Sequence, residues 1–379
     1  MRHIVIYNLC FLMVCSCGQT VENALGVIVL DHFASSPQKI SIDEIASHID
    51  YVQLETISES LIGHIDKIQT RDDKIYILDE RNGLMLVFDT SGKFIRRLGT
   101  KGRGPGEYLN MSDFALCDSV ILVLDVRQFK MIMYDLRGKL VAERLLSNYG
   151  IMRVAFCQGM PVGEYNYPDF AYNNGFRISF FDRNLNPDMD VFKSEINLDT
   201  TSARQYGMHH SRSFFASVSD TLTFWECRED VVYKIINQNR IEKKYVFRYK
   251  NPAKFEDGMG TRNPGCNEIS GMQEGRNHIF LVGGYDNEYR RLIYFKETNK
   301  GISVDGMIKN STGPDFFPAG IGGGLADDGK AYLSFSVYDY MTDLEKSKTP
   351  LENLDPKLQS LLQTCQFGDN PCIMLVTLK

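Results

Sequence analysis

Beyond its first residues the chain has no apolar run near the roughly 20 residues that a membrane helix needs, so no later span is expected. It has no CxxC pair. Its nine cysteines are scattered, with Cys10, Cys15 and Cys17 at the N-terminus, which argues against a zinc site or a disulfide scaffold. No block of Lys and Arg interrupts a composition of 42 basic and 48 acidic residues, so nucleic acid is not an expected partner. Only one tryptophan occurs, Trp225, inside a strand-like run that predicts a core position. No GxSxG is present, so no serine nucleophile of that kind is expected. The glycine-rich string Gly102 to Tyr108 lacks a terminal Gly-Lys-Ser/Thr and does not join a strand to a helix, which excludes a phosphate loop.

What is present begins with a signal. Arg2 precedes an apolar run from Ile4 to Val14, too short to anchor by itself, and Val14-Cys15-Ser16-Cys17 resembles a bacterial lipobox. Cleavage before Cys17 and lipidation of its thiol are expected; each buried methylene of an acyl chain adds about 0.8 kcal/mol of membrane affinity. The domain reading is therefore residues 1–16 as signal peptide, 17–40 as a lipidated tether with little structure, and 41–379 as the folded unit.

Inside that unit the chain repeats. Lys74-Ile75-Tyr76-Ile77-Leu78-Asp79-Glu80-Arg81 matches Val120-Ile121-Leu122-Val123-Leu124-Asp125-Val126-Arg127, with Asp79 and Asp125 46 positions apart. The same offset relates Phe88-Asp89 to Tyr134-Asp135 and Gly92-Lys93 to Gly138-Lys139. A fixed period of this length with several short strands per unit is the signature of a propeller blade. In the first unit the strands read as 64–70, 74–79, 84–89 and 93–98, separated by Asp72-Asp73, Asn82-Gly83 and Ser91-Gly92. Later units are expected over 151–196, 211–249 and 266–309.

The sixth unit, from about Phe317, offers only 321–326, 330–337 and 372–378, one strand short. Asp50-Tyr51-Val52-Gln53-Leu54-Glu55 is a strand without a sheet, and closing the last blade with it hides an exposed edge. The predicted fold is all-β, a six-bladed β-propeller of four-stranded antiparallel blades. Two helical segments are expected. Ile42, Ile45, Ala46 and Ile49 form a short amphipathic turn, and Asp355-Pro356 caps a helix whose Leu358, Leu361, Leu362 and Cys365 share one face. Cys117 and Cys157 are expected as small core residues, while Cys365 and Cys372 are close enough in sequence for a disulfide that spacing alone leaves open.

Four strings carry a resemblance: Tyr51-Val52-Gln53-Leu54-Glu55-Thr56, Lys74 to Asp79, Val87 to Arg96, and above all Gly102-Arg103-Gly104-Pro105-Gly106-Glu107-Tyr108. They resemble the six-bladed β-propeller lipoproteins of Bacteroidota, which are related to NHL-repeat propellers. The likeness is dense from about residue 41 to 146 and thins afterwards. It implies fold and an envelope location, and carries no activity. One departure bears on location: relatives sent to the cell surface often have acidic residues just after the lipid cysteine, whereas Gly18-Gln19-Thr20-Val21-Glu22 follows here.

In a propeller the interblade loops and the loops joining second and third strands share one face. The latter supply Arg81 and Asn82, Arg127 and Gln128, Arg228, Tyr285 and Asp286, and Tyr338 and Asp339. The former supply Arg103, Glu107 and Tyr108, then Tyr206, His209 and His210, then Arg262 and Asn263. Arginine and tyrosine can grip carboxylates, phosphates or sugar rings. The plainer expectation for Arg81 and Arg127 is a bridge between blades through Asp79, Asp125 or Glu226. Glu107 is expected to pin its turn. His209-His210 is the best metal candidate, sharing an ion on a loop with Glu164 or Asp230. The sequence leaves the cofactor open. The leading functional expectation is a non-enzymatic, membrane-anchored binding propeller for an envelope glycan, peptide or protein, touching the membrane only through its lipid. The alternatives are a metal-assisted hydrolase, lactonase or lyase at the propeller axis, and a scaffold for envelope proteins. A glycan binder should show exposed tyrosines or Trp225 beside polar side chains in a groove.

Overall fold

The middle strands of the first two units are apolar on both sides: in Lys74–Asp79, Leu84–Asp89, Val120–Asp125 and Lys130–Asp135 nearly every residue is buried. Such strands satisfy both faces only when their sheet is sandwiched between two others. The computed structural model shows that arrangement and describes residues 26–29, 35–146, 150–165, 174–193, 213–218, 221–226, 230–248, 268–285, 288–319, 322–327 and 329–379.

Six antiparallel sheets follow one another in chain order. The first blade is Lys67–Arg71, Lys74–Asp79, Leu84–Asp89 and Phe94–Arg97; the second is Met111–Leu116, Val120–Asp125, Lys130–Asp135 and Leu140–Leu145. The third is Ile151–Cys157, Met160–Tyr165, Phe176–Phe181 and Pro187–Lys193, and the fourth is Ser213–Val218, Thr221–Glu226, Val231–Asn237 and Arg240–Arg248. The fifth is Glu268–Glu274, His278–Tyr285, Glu288–Phe295 and Lys300–Val304. First strands neighbour first strands around the axis, and Gly323–Asp327 of the sixth blade lies against Lys67–Arg71 of the first. The ring is closed.

Closure uses the expected strand. Ala46–Gln53 pairs antiparallel with Cys372–Leu378, placing Tyr51 opposite Met374, Val52 opposite Ile373 and Gln53 opposite Cys372. The sixth blade thus takes its outermost strand from the front of the chain and the other three, Gly323–Asp327, Lys330–Phe335 and Cys372–Leu378, from its end. Among the described residues six apolar clusters fill the six gaps between blades. One joins Tyr76, Val87 and Phe114; another, across the closure, joins Val52, Ile373 and Tyr332 to Ile75, Ile77 and Phe88. Each large side chain so buried contributes about 1.5–3 kcal/mol. Trp225 is core, edge-on to Phe247.

Three features depart from expectation. Residues 18–39 are not uniformly unstructured: Gly26–Val29 pairs parallel with Tyr245 to Arg248 as a fifth strand of the fourth blade, and Ile28 is fully buried near Trp225 and Phe247. The β-branched run Val27-Ile28-Val29 favours a strand, and the open edge of Arg240–Arg248 supplies its partner. Isolated bridges then carry the chain past the fifth blade, Gln38 to Val304 and Ser41 to Lys309. Second, the early helix α1 is only Ile42–Ile45, braced by a capping box of Ser41 and Glu44; Ala46 and Ile49 already belong to the closing strand.

Third, the second strand of the sixth blade stops at Phe335, and the connection to the next strand is mostly helical. Ser336 caps helix α2, Val337–Ser347, and Asp355 caps helix α3, Pro356–Thr364, accepting from the Lys357 and Leu358 amides. Leu358 and Leu362 are buried against the blade, with Leu361 and Cys365 partly buried beside them, as the spacing predicts. Val337, Tyr338 and Asp339, read as strand end and loop, are instead the first turn of α2, because Ser336 offers a cap that ends the ladder. No helix among the described residues is long and apolar enough to cross a membrane.

Candidate functional site

The repeated acid at the end of the second strand organises the loop face. Asp79 is fully buried; its carboxylate accepts from the Asn82 amide N–H at 2.9 Å, the Asn82 side chain at 2.8 Å and the Gly63 amide at 2.6 Å. Asp125 repeats the pattern with the amides of Arg127, Gln128 and Leu109 and the Gln128 side chain. Each acid therefore ties a second-to-third-strand loop to the preceding interblade loop through main-chain donors. The expected side-chain bridges from Arg81 and Arg127 do not form at these acids, which are already saturated by nearer N–H groups; both arginines are exposed. An interblade arginine does exist elsewhere. Arg177, buried, pairs with Glu164 of its own blade at 3.1 Å and with Glu226 of the fourth.

The string from Gly102 to Tyr108 is a brace. The Glu107 carboxylate accepts from the Gly104 amide at 2.7 Å, and the Gly106 amide donates to Glu143 at 2.6 Å. Glu107 pins its turn as expected, and a side chain on Gly102 would collide with it. Tyr108 is a correction: its ring lies in the core between the first two blades, where burial pushes its hydroxyl up to about 12, so it is not offered to a ligand. Arg103 is exposed and Tyr285 half-buried. Cys17, Tyr206, His209, His210, Arg228 and Arg262 lie outside the described residues. Among those described, no group of three His, Cys, Asp or Glu could hold a metal. Cys157 is buried, Cys117 partly so, and Cys365 and Cys372 are both free thiols.

Two places on this face carry chemistry. The first is the axial mouth of blades one to three. Lys67 and Asp113, 46 positions apart, occupy equivalent first-strand sites; the Lys67 ammonium donates to Asp113 at 2.8 Å and to the Phe114 carbonyl at 2.6 Å. The other Asp113 oxygen accepts the Val154 amide at 2.7 Å. Asp66 accepts from the Glu80 amide at 2.8 Å and faces the His64 ring at 3.0 Å. Partial loss of water, then the charges of Asp66 and Asp113, raise the Glu80 carboxyl above its ordinary range, with Arg153 working against them. Sequence reasoning missed these groups, although the 46-residue offset between Lys67 and Asp113 was a readable signal.

The second is a cleft of about 190 Å³ where the start of α2 meets the turn before the last strand. Tyr338 and Phe367 stand edge to face there, 5.1 Å between centroids, 49% and 82% exposed. Beneath the turn lies Asn370, 4% exposed. Its side chain accepts from the Ile62 amide at 2.9 Å and donates to the Glu55 and Ser60 carbonyls at 2.8 Å. Its amide N–H donates to Thr56 at 2.8 Å, and its carbonyl accepts from Gln53 at 2.6 Å. Tyr338 was a sequence candidate; Phe367 was not, since a lone phenylalanine in a polar loop has no periodic signature.

A family model described as a domain of unknown function, DUF4934, matches residues 25–377. No curated protein matches the chain. Among solved structures, a protein of Bacteroides fragilis NCTC 9343 described as exported is 17% identical, with a TM-score of 0.72 over 93% of this chain and 99% of that one. A member of the DUF4221 family from Bacteroides vulgatus ATCC 8482 is 10% identical, with a TM-score of 0.50 over 88% and 97% of the two chains. These likenesses show the fold. Virginiamycin B lyase from Staphylococcus aureus is 13% identical over 70% of this chain and 76% of that one, with a TM-score of 0.42, too low to inform the chemistry.

Proposed function

The chain belongs to the DUF4934 family of domains of unknown function, and from its geometry we propose that it is a non-enzymatic binding propeller of the bacterial cell envelope. The observation that carries this reading is the cleft between α2 and residues 366–370, where Tyr338 on the first turn of α2 and Phe367 on a braced turn stand exposed side by side. Exposed apolar rings set side by side in a concave, polar-rimmed place mark a docking site more often than scattered single ones do. At the axial mouth, by contrast, Lys67, Asp66 and Asp113 are occupied with one another's blades or with main-chain groups, which suits a structural clasp better than acid and base chemistry.

Export and anchoring rest on the N-terminal string ending at Cys17, supported by the exported description of the Bacteroides fragilis protein of like fold. The lipid would hold the chain to the membrane while the propeller meets its ligand. A photoreactive phenylalanine analogue placed at position 367 of the full chain, in cells, tests the assignment. A second probe at Val141, exposed on the outer strand of the second blade, is the control. Adducts are expected from position 367 and not from position 141. Absence of any adduct from position 367, or equal labelling from both, would overturn the assignment.

A further inference from the structure

Resting on that reading, we propose that the cleft takes the ring of a neutral sugar, one pyranose unit of an envelope glycan. Its size sets the first limit. Sites that enclose a whole small molecule run to about 300–1,000 Å³, so about 190 Å³ holds a single ring and leaves the remainder of a longer ligand on the surface. Its walls set the second. Tyr338 and Phe367 cross at 76°, so each ring keeps a face open, and an aromatic face packs well on the C–H face of a pyranose.

The rim sets the third. Asp339, Gln366 and Asp369 line it with oxygen acceptors, and no Lys or Arg is among the lining residues. A sugar presents hydroxyl donors in a ring around an apolar face, which is the complement of that rim. The alternative occupant of an acidic aromatic cleft is a Lys or Arg side chain. Against it, Asp369 already accepts the Gln366 amide at 2.7 Å, and Asp339 lies in the first turn of α2, where the helix dipole offsets its charge. The rim is thus rich in acceptors without being a strong anion. The site is also preformed. Gly368, at φ +91° with open space where a Cβ would be, turns Phe367 outward, and the turn is fixed from below by Asn370. Little ordering remains to oppose binding.

The test uses saturation-transfer NMR and calorimetry on the mature chain with glucose, mannose, galactose and N-acetylglucosamine and their short oligomers. At least one pyranose series should bind. Phe367→Ala should weaken that binding at least tenfold while leaving the melting temperature unchanged, and Tyr338→Phe should keep most of it. Asp339→Asn should retain binding, since an amide oxygen still accepts. The proposal fails if no pyranose binds at millimolar concentration, or if Phe367→Ala leaves sugar binding intact. It fails too if a Lys-rich or Arg-rich peptide, and no sugar, binds in a manner dependent on Phe367. In that last case adducts from position 367 would be protein, so the binding function would stand while its sugar chemistry fell.

Discussion

Replacing Asn370 with alanine should loosen the junction between last and first blades more than any nearby change. The side chain makes three hydrogen bonds shorter than 3 Å, from the Ile62 amide and to the Glu55 and Ser60 carbonyls, at a site 4% exposed. A buried bond contributes about 1 kcal/mol net, and a buried partner left unpaired costs about 1–3 kcal/mol. Water can reach part of the vacated space, so the sum is about 3–5 kcal/mol rather than the full total. Urea unfolding followed by Trp225 fluorescence and far-ultraviolet dichroism should show a lower midpoint for Asn370→Ala. Asn370→Asp should be no better: it keeps the acceptor for Ile62 but sets a carboxylate oxygen against two carbonyls. A loss below about 1 kcal/mol for both would refute the clamp.

Glu274→Gln should destabilise by about 3–5 kcal/mol at neutral pH, because it strands two ammonium groups, Lys244 at 2.8 Å and Lys296 at 2.5 Å, around a fully buried carboxylate. Burial pushes the Glu274 carboxyl up, but Lys244 and Lys296 outweigh it and the net shift is downward. Its contribution is therefore present above the unfolded carboxyl pKa, about 4.3, and lost as pH falls through the lower folded value, which thermal melts between pH 3 and pH 7 would follow. Glu80 has the opposite sign: its raised pKa means that ionisation destabilises the fold as pH rises from the unfolded towards the folded value. Glu80→Gln should raise the melting temperature at pH 7 and leave it little changed at pH 4, and an equal effect at both would contradict the crowding. Ile28→Asp should detach Gly26–Val29 from the fourth blade and shift Trp225 emission to the red, because Ile28 packs in the same cluster.

The architecture was readable where repetition and side-chain chemistry agreed. The 46-residue offset located Asp79 and Asp125, and the homeless strand around Tyr51 found its place because a three-stranded sixth unit needed a partner. The strings that suggested a family are junction pieces. Tyr51 accepts from Asn310 at 3.2 Å, Glu55 accepts the Phe94 amide at 2.8 Å, and Thr56 accepts from Asn370. Even Gly92 belongs to this joint, for a Cβ there would lie 2.0 Å from the Gln53 carbonyl. Residues that hold one blade to the next explain why those strings speak of fold and not of activity.

What could not be read depended on distant partners. Gly26–Val29 is too short to be recognised as a strand without the edge of Arg240–Arg248 beside it. Arg81 and Arg127 recur with their acids, yet the acids choose main-chain donors nearer by, a preference set by turn geometry. The cleft arises from two segments more than 25 positions apart, 336–339 at the start of α2 and the turn 366–370, which meet only after α2 and α3 have packed. Such a site has no local pattern. Its aromatic residues become significant only once their exposure is known.

The propeller is a closed ring only if the front of the folded unit seals its end, and a covalent trap measures that directly. Gln53 lies opposite Cys372 in antiparallel register, where Cα atoms are about 4.5–5.5 Å apart, within the range a disulfide spans. Cys365, whose thiol lies 3.2 Å from the Gln53 side chain, is first changed to Ser. The Gln53→Cys, Cys365→Ser chain, folded and oxidised, should yield one intramolecular disulfide between positions 53 and 372 on non-reducing peptide mapping. Recovery of both thiols separately alkylated from the folded, oxidised protein would contradict the closure.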